Sequence, residues 1–284
     1  MLVVKSIPDL QSKLLQIKEE GKSIGFVPTM GALHEGHVSL IQESKKKSDF
    51  TVCSIYVNES QFNQKEDFIH YPRTLESDLA LLESENCDCV FVPSAEEMSS
   101  IQLPEKFEMG DINDFMEGIY RPSHFLGVAQ VVYRFFVIVR PDYAFFGIKD
   151  YQQVTLIQRV NRQFQFNIDI VACAIKRNSK GLALSSRNMR LSSEQKTQAL
   201  GIYNTLQYIN SLNKKALTGN DVIKMGAEFL EANYPVLRLE YLSLTLDGEL
   251  APFEDLLSPS KHYRACIAAY LEDVRLIDNM EIYY

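Results

Sequence analysis

From Ser23 to about Ile175, short apolar runs rich in β-branched residues alternate with stretches whose apolar positions recur at helical spacing. That alternation is the pattern of strand and helix units that stack into a parallel sheet covered by helices. It predicts strands over 24–27, 50–57, 89–92, 143–146 and 168–175, and helices over 38–48, 74–85, 127–139 and 151–164. The 127–139 segment is apolar on nearly every face, so it is expected between layers, and Pro141 closes it. Past the polar run at 176–180 the pattern changes. Ser192 with Gln195 forms a capping box, Thr218 starts another helix, and apolar runs near 237–246, 266–270 and 274–277 predict a small sheet. The expected class is α/β, with a parallel-sheet domain over 1–176 and a smaller α+β domain over 177–284. The weakly periodic stretch 94–122 is expected to form a mobile cover.

The first core strand runs into Pro28-Thr29-Met30-Gly31-Ala32-Leu33-His34-Glu35-Gly36-His37, which reads as strand, glycine-containing turn and helix start. Glycines there let backbone N–H groups approach an anion, and imidazoles at i and i+3 share one helix face. Taken alone, such a His pair more often caps a helix or lines a polar surface. Zinc would need a third ligand, and none stands at a familiar spacing. A strand, two glycines and both histidines together describe a site for a nucleotide phosphate.

Composition narrows the ligand. The formal net charge of −8 opposes nonspecific nucleic-acid binding, so phosphate affinity has to come from a local cluster, as for a small molecule. The five cysteines are scattered, mostly in apolar runs, and are expected to be buried, reduced thiols. The N-terminal residues lack a basic region followed by a long apolar core, and no apolar stretch reaches membrane-spanning length. A soluble cytoplasmic protein is expected, without nucleic-acid or membrane partners.

Three further clusters follow element ends. Gly147-Ile148-Lys149-Asp150 offers close approach, a point charge and an acceptor for ribose hydroxyls. Leu184-Ser185-Ser186-Arg187 offers two hydroxyls and a guanidinium for a pyrophosphate. Asn58, Gln61 and Gln153 are uncharged amides suited to a small hydroxy acid. Asp78, on the helix predicted over 74–85, is placed to face a bound magnesium, although a solvated carboxylate is the commoner case.

Together these segments, with Gln61-Phe62, Tyr71-Pro72-Arg73-Thr74, Arg121-Pro122-x-His124-Phe125, Gly147-x-Lys149-Asp150-x-Gln152-Gln153 and Gly181-Leu182-Ala183-x-Ser185-Ser186-Arg187-Asn188, closely resemble the pantoate–β-alanine ligase family. A weaker match continues to Asp273-x-Arg275-Leu276-Ile277-Asp278-Asn279. The resemblance implies a Rossmann-like domain over 1–176 that binds ATP and pantoate, a C-terminal lid domain over 177–284, and a homodimer. It also implies that ATP and pantoate form pantoyl adenylate, which β-alanine then attacks, with ATP as substrate and Mg2+ as its ion.

By the same resemblance the ATP-binding residues are Met30, Gly31, Ala32, Leu33, His34, Glu35, Gly36, His37, Gly147, Ile148, Lys149, Asp150, Lys176, Leu184, Ser185, Ser186 and Arg187. His37, His34 and Lys149 are expected to be catalytic, His37 as proton donor. Gln61, Gln153 and Asn58 would address pantoate, Gln61 also β-alanine, and Asp78 the metal. The chain departs from the family pattern at Glu59-Ser60, where relatives carry proline at the first of the two positions, and at Ile148, Lys176 and Lys180.

Overall fold

Six short strands, β1 (Leu2–Val4), β2 (Ile24–Thr29), β3 (Phe50–Ile55), β4 (Cys89–Phe91), β5 (Tyr143–Gly147) and β6 (Asp169–Cys173), pair in the order β1-β4-β3-β2-β5-β6 in the computed structural model of the protein. The structure describes residues 1–62 and 65–284. Every pairing in this sheet is parallel. Parallel strands need crossovers. Helices supply them: α1 (Ile7–Glu19), α2 (Glu35–Lys47), α3 (Lys65–Ile69), α4 (Leu75–Ser84), α5 (Ala95–Ser100), α6 (Glu117–Tyr120), α7 (His124–Val139) and α8 (Tyr151–Gln163). The strand order turns at β2, whose neighbours are β3 on one side and β5 on the other. Such a switch point is where open α/β sheets bind ligands, just past the carboxyl ends of the strands. The histidine segment leaves β2 and the Gly147 segment leaves β5, one on each side of it.

All five strands predicted from the alternation are present, and the apolar α7 has buried residues from Phe125 to Val139 along its length. Two elements precede the first predicted strand. Ser6 caps α1 through the N–H of Asp9, Pro8 lies in the first turn, and Ile7, Leu10, Leu14 and Ile17 form its buried stripe. Those are the sequence signals of an amphipathic helix. β1 has only three residues at a sheet edge, too few to show a period.

The segment 94–122 is an anchored element and not a loose cover. Met98 and Ile112 are fully buried, Glu97 accepts the N–H of Ile7 at 2.7 Å, and the Gln152 amide donates to Ile112 O at 2.6 Å. Burying two large side chains and satisfying the backbone this way fixes a chain that lacks helical periodicity.

The chain divides into two units, Met1–Asn113 with Arg121–Ile148 and Gln152–Ala174, and Asp114–Tyr120 with Lys149–Tyr151 and Ile175–Tyr284. The second unit holds α9 (Ser193–Gln198), α10 (Leu200–Ser211), α11 (Gly219–Asn233) and an antiparallel sheet of β7 (Leu237–Leu246), β8 (Tyr263–Leu271) and β9 (Val274–Ile282). Its core packs Ile202, Leu206 and Ile209 of α10 with Val222 and Leu230 of α11 and the inner residues of the three strands.

Candidate active site

The turn after β2 is built around a carboxylate. Gly31 (φ +77°) and Ala32 (φ +49°) are both left-handed, which turns successive N–H groups toward one point and makes a concave nest for an anion. The anion is Asp78 of α4. Its Oδ2 accepts from Ala32 N–H at 3.0 Å, its Oδ1 from Leu33 N–H at 2.8 Å, and Thr74 Oγ1 donates to Oδ2 at 3.2 Å. Asp78 is only 3% exposed. A Cβ at position 31 would sit 3.0 Å from Asp78 Oδ2, so the glycine answers both the backbone and the crowding. The sequence points these amides at a nucleotide phosphate and Asp78 at magnesium. Instead the amides of Ala32 and Leu33 hold the protein's own carboxylate, and that carboxylate is occupied in holding the turn.

The turn delivers His34 to the start of α2 as its N-cap. His34 Nδ1 accepts from Gly36 N–H at 3.0 Å, and His37 Nδ1 accepts from His34 N–H at 3.3 Å. The two rings lie 4.2 Å apart. Since each Nδ1 is an acceptor, the neutral rings carry their proton on Nε2. One reciprocal cap thus gives both imidazoles the same tautomer, with Nε2–H as donor.

Beside this turn, Asn58, Glu59, Ser60 and Gln61 form a tight 3-10 turn after β3. Gln61 Nε2 approaches Met30 Sδ at 2.6 Å, and its Oε1 accepts from Asn58 Nδ2 at 3.3 Å. Asn58 is buried. Its amide also donates to Gly127 O at 3.1 Å, and its Oδ1 accepts from Ser60 Oγ at 2.9 Å. Expected at the substrate, Asn58 is spent on organising the turn that carries Gln61. Gln153 is half-buried in the first turn of α8.

In the second unit Lys149, Ser185, Arg187 and Asn188 line a small surface pocket, with Arg275 and Asp278 of β9 at its wall. Lys149 is largely buried, 3.9 Å from the more exposed Asp150. Ser185 caps a short 3-10 turn by accepting from Arg187 N–H at 3.3 Å, while Ser186 is not among the lining residues. The Lys176 carbonyl accepts from Leu184 N–H at 2.9 Å, closing a hairpin in which Arg177 faces Ala183. A Cβ on Gly147 would meet no atom within 4 Å, so the packing around that position does not demand a glycine.

A buried polar network adjoins this pocket. Arg177 donates to both oxygens of Asp278, at 2.5 and 2.9 Å. Burial still pushes the Asp278 carboxyl up, with Arg177 opposing. Asn279, 2% exposed, donates to Lys149 O at 2.9 Å and accepts from Arg264 Nη1 at 2.8 Å. The signal was a polar pair, Asp278-Asn279, inside a strand-like run, where unpaired polar groups are costly.

The family profile described as Pantoate-beta-alanine ligase matches residues 2–281. The chain belongs to the pantoate–β-alanine ligase family. Curated relatives called pantothenate synthetase include those of Bacteroides fragilis, 42% identical over 284 residues, and Cytophaga hutchinsonii, 41% identical over 283 residues, each covering 99% of both chains. A crystal structure of pantothenate synthetase from Thermus thermophilus superposes with a TM-score of 0.90 at 36% identity over 100% of both chains. A pantoate-beta-alanine ligase from Francisella tularensis, complexed with beta-gamma ATP and beta-alanine, gives 0.77 at 33% identity over 99% of this chain and 97% of that one.

Within this family's frame, the first unit brings Met30, the histidines and Gln61 together, and the second brings together Lys149, Ser185 and Arg187. Among the described residues no group of three or more His, Cys, Asp or Glu could hold a metal ion.

Proposed function

We propose that the protein condenses pantoate with β-alanine at the expense of ATP, through pantoyl adenylate, releasing AMP and pyrophosphate. The observation that carries this is the match to the ligase family along the whole chain, which includes a relative complexed with beta-gamma ATP and beta-alanine. A carboxylate does not acylate an amine unaided, because oxide is a poor leaving group. A pantoate oxygen attacks the α-phosphorus, the bond to pyrophosphate breaks, and negative charge grows on the phosphate oxygens. Donors fixed in advance stabilise that charge. His34 and His37 do this as neutral Nε2–H donors. With both Nδ1 atoms used in the cap, hydrogen-bond donation by His37 replaces proton donation.

Lys149, Ser185, Ser186 and Arg187 address the β- and γ-phosphates, Gly147 and Asp150 the ribose, and the backbone near Lys176 and Leu184 the adenine. Magnesium enters with ATP as part of the substrate, held chiefly by phosphate oxygens, as is usual for that ion. Gln61 and Gln153 orient pantoate. The neutral amine of β-alanine then attacks the acyl carbon near Gln61, AMP leaves, and the amine proton passes to solvent. No covalent enzyme intermediate is needed. All five thiols are buried, and burial raises those of Cys87 and Cys173 to about 11 and those of Cys89 and Cys266 to about 12.

A cytoplasmic homodimer belongs to the same reading. Reduced thiols fit that compartment, and exposed Leu2 and Val3 on the edge strand β1 offer a second copy an apolar surface.

Two assays test the chemistry. Pantoate and ATP alone should exchange labelled pyrophosphate into ATP, and steady AMP release should need β-alanine. Formation of ADP, or of AMP regardless of pantoate, refutes it. His37→Ala and Lys149→Ala should each slow exchange by about 10²-fold or more while the fold persists.

A further inference from the structure

His124, at the first position of α7, is buried. Its Nδ1 lies 2.8 Å from the carbonyl oxygen of Gln61. A carbonyl only accepts, so Nδ1 carries the proton there. Two more contacts join the first turn of α7 to the turn that carries Gln61. Asn58 Nδ2 donates to Gly127 O at 3.1 Å. A Cβ on Gly127 would fall 2.3 Å from Ser60 O and 2.8 Å from Gln61 N, so only glycine lets the Ser60–Gln61 peptide lie against the helix. On the far side, Phe62 packs edge-on against Phe68 and Tyr71, with ring centroids 5.5 Å away in both cases.

The turn itself contains no proline and no side-chain cap. Besides its own hydrogen bonds, Ser60 Oγ to Asn58 Oδ1 and Phe62 N–H to Glu59 O, it is held by its contacts with α7. Among the described residues the Gln61 amide approaches a thioether on its donor side and another amide on its acceptor side. Sulfur is a weak acceptor, so this contact is readily exchanged for a carboxylate or hydroxyl oxygen. What the amide can reach depends on where the Gln61 backbone is held.

We propose that His124 is the positioning residue for Gln61, setting the enzyme's affinity for its hydroxy-acid substrate through the hydrogen bond to Gln61 O without touching that substrate. This rests on the reading of Gln61 as a pantoate-orienting residue.

The experiment measures KM and kcat for pantoate and ATP separately in His124→Leu, His124→Asn, His124→Asp and Gln61→Ala. The asparagine Nδ2 takes the place of the imidazole Nδ1 and still donates, whereas leucine and ionised aspartate do not. His124→Leu is expected to raise the pantoate KM about tenfold, the worth of one buried hydrogen bond, with the ATP KM within about twofold of the parent. His124→Asn should return the pantoate KM to within about threefold. Should the leucine variant fail to fold, the isosteric asparagine and aspartate pair carries the same contrast. An unchanged pantoate KM in the non-donating variants, where Gln61→Ala raises it, overturns the proposal. So does equal damage from donating and non-donating replacements, which is what a merely packed ring would give. An unchanged pantoate KM in Gln61→Ala overturns the reading of Gln61 instead.

Discussion

Replacing Asp78 by alanine should destabilise the protein severely, with or without magnesium. The carboxylate is buried and accepts from two successive backbone N–H groups and one hydroxyl. Removing it leaves both amides unsatisfied inside the protein, at about 1–3 kcal/mol each. It also removes what holds Ala32 in a left-handed conformation that costs a non-glycine residue about 1 kcal/mol. The expected loss for Asp78→Ala is about 3–5 kcal/mol. Asp78→Asn keeps one acceptor but turns an NH2 group toward the other amide, so about 2 kcal/mol is expected. Urea unfolding, repeated with magnesium and with chelator, measures both. A loss below about 1 kcal/mol for the alanine variant, or one that appears only with magnesium, would refute the view that this carboxylate serves the backbone. The folded fraction of either variant should also exchange pyrophosphate more slowly, because the same turn places the His34 cap.

Gly147→Ala should weaken ATP binding, read as a rise in ATP KM, while thermal stability stays within about 0.5 kcal/mol, since the added Cβ meets no protein atom within 4 Å. Glu117→Ala should cost about 3–5 kcal/mol in denaturant unfolding, because the buried Glu117 accepts two hydrogen bonds from the largely buried Arg275, at 2.7 and 2.8 Å, and one from Tyr241. Restoration of most of that loss by Glu117→Gln would show that hydrogen bonds outweigh charge there. At pH 8 the native thiols should resist a disulfide reagent, and all five should react on unfolding. The values of about 11 for Cys87 and Cys173 and about 12 for Cys89 and Cys266 lie above the ordinary 9.0, and burial raises Cys53 as well, so the native state keeps protons that the unfolded chain gives up. Stability is full below about pH 9 and falls as pH rises from there toward 11, by at most about 1.4 kcal/mol per pH unit for each thiol. Alkaline titration of the unfolding midpoint checks the sign.

Periodicity alone located five of the six parallel strands, the buried α7 and the small second sheet, because alternation and helical spacing reflect which face each residue buries. Local chemistry marked the histidine turn, the Gln61 turn and the Ser185–Arg187 segment as places where a ligand would be met. Both kinds of signal lie within a few consecutive residues.

Partners distant in sequence carry no such signal. Nothing near Gly31 tells that its turn encloses Asp78, from 47 residues on, and not a phosphate. Nothing near Gln61 tells that His124 and Gly127 hold its peptide, or near Lys149 that Asn279 holds its carbonyl. Residue types state what a group can donate or accept. Which buried group it meets is decided by packing, since every polar atom shut away from water must find a partner wherever the fold brings one. The sequence determined the sheet, the loops and the chemistry on offer; the tertiary structure decided which amides, carboxylates and imidazoles were already spent and which were left to face a ligand.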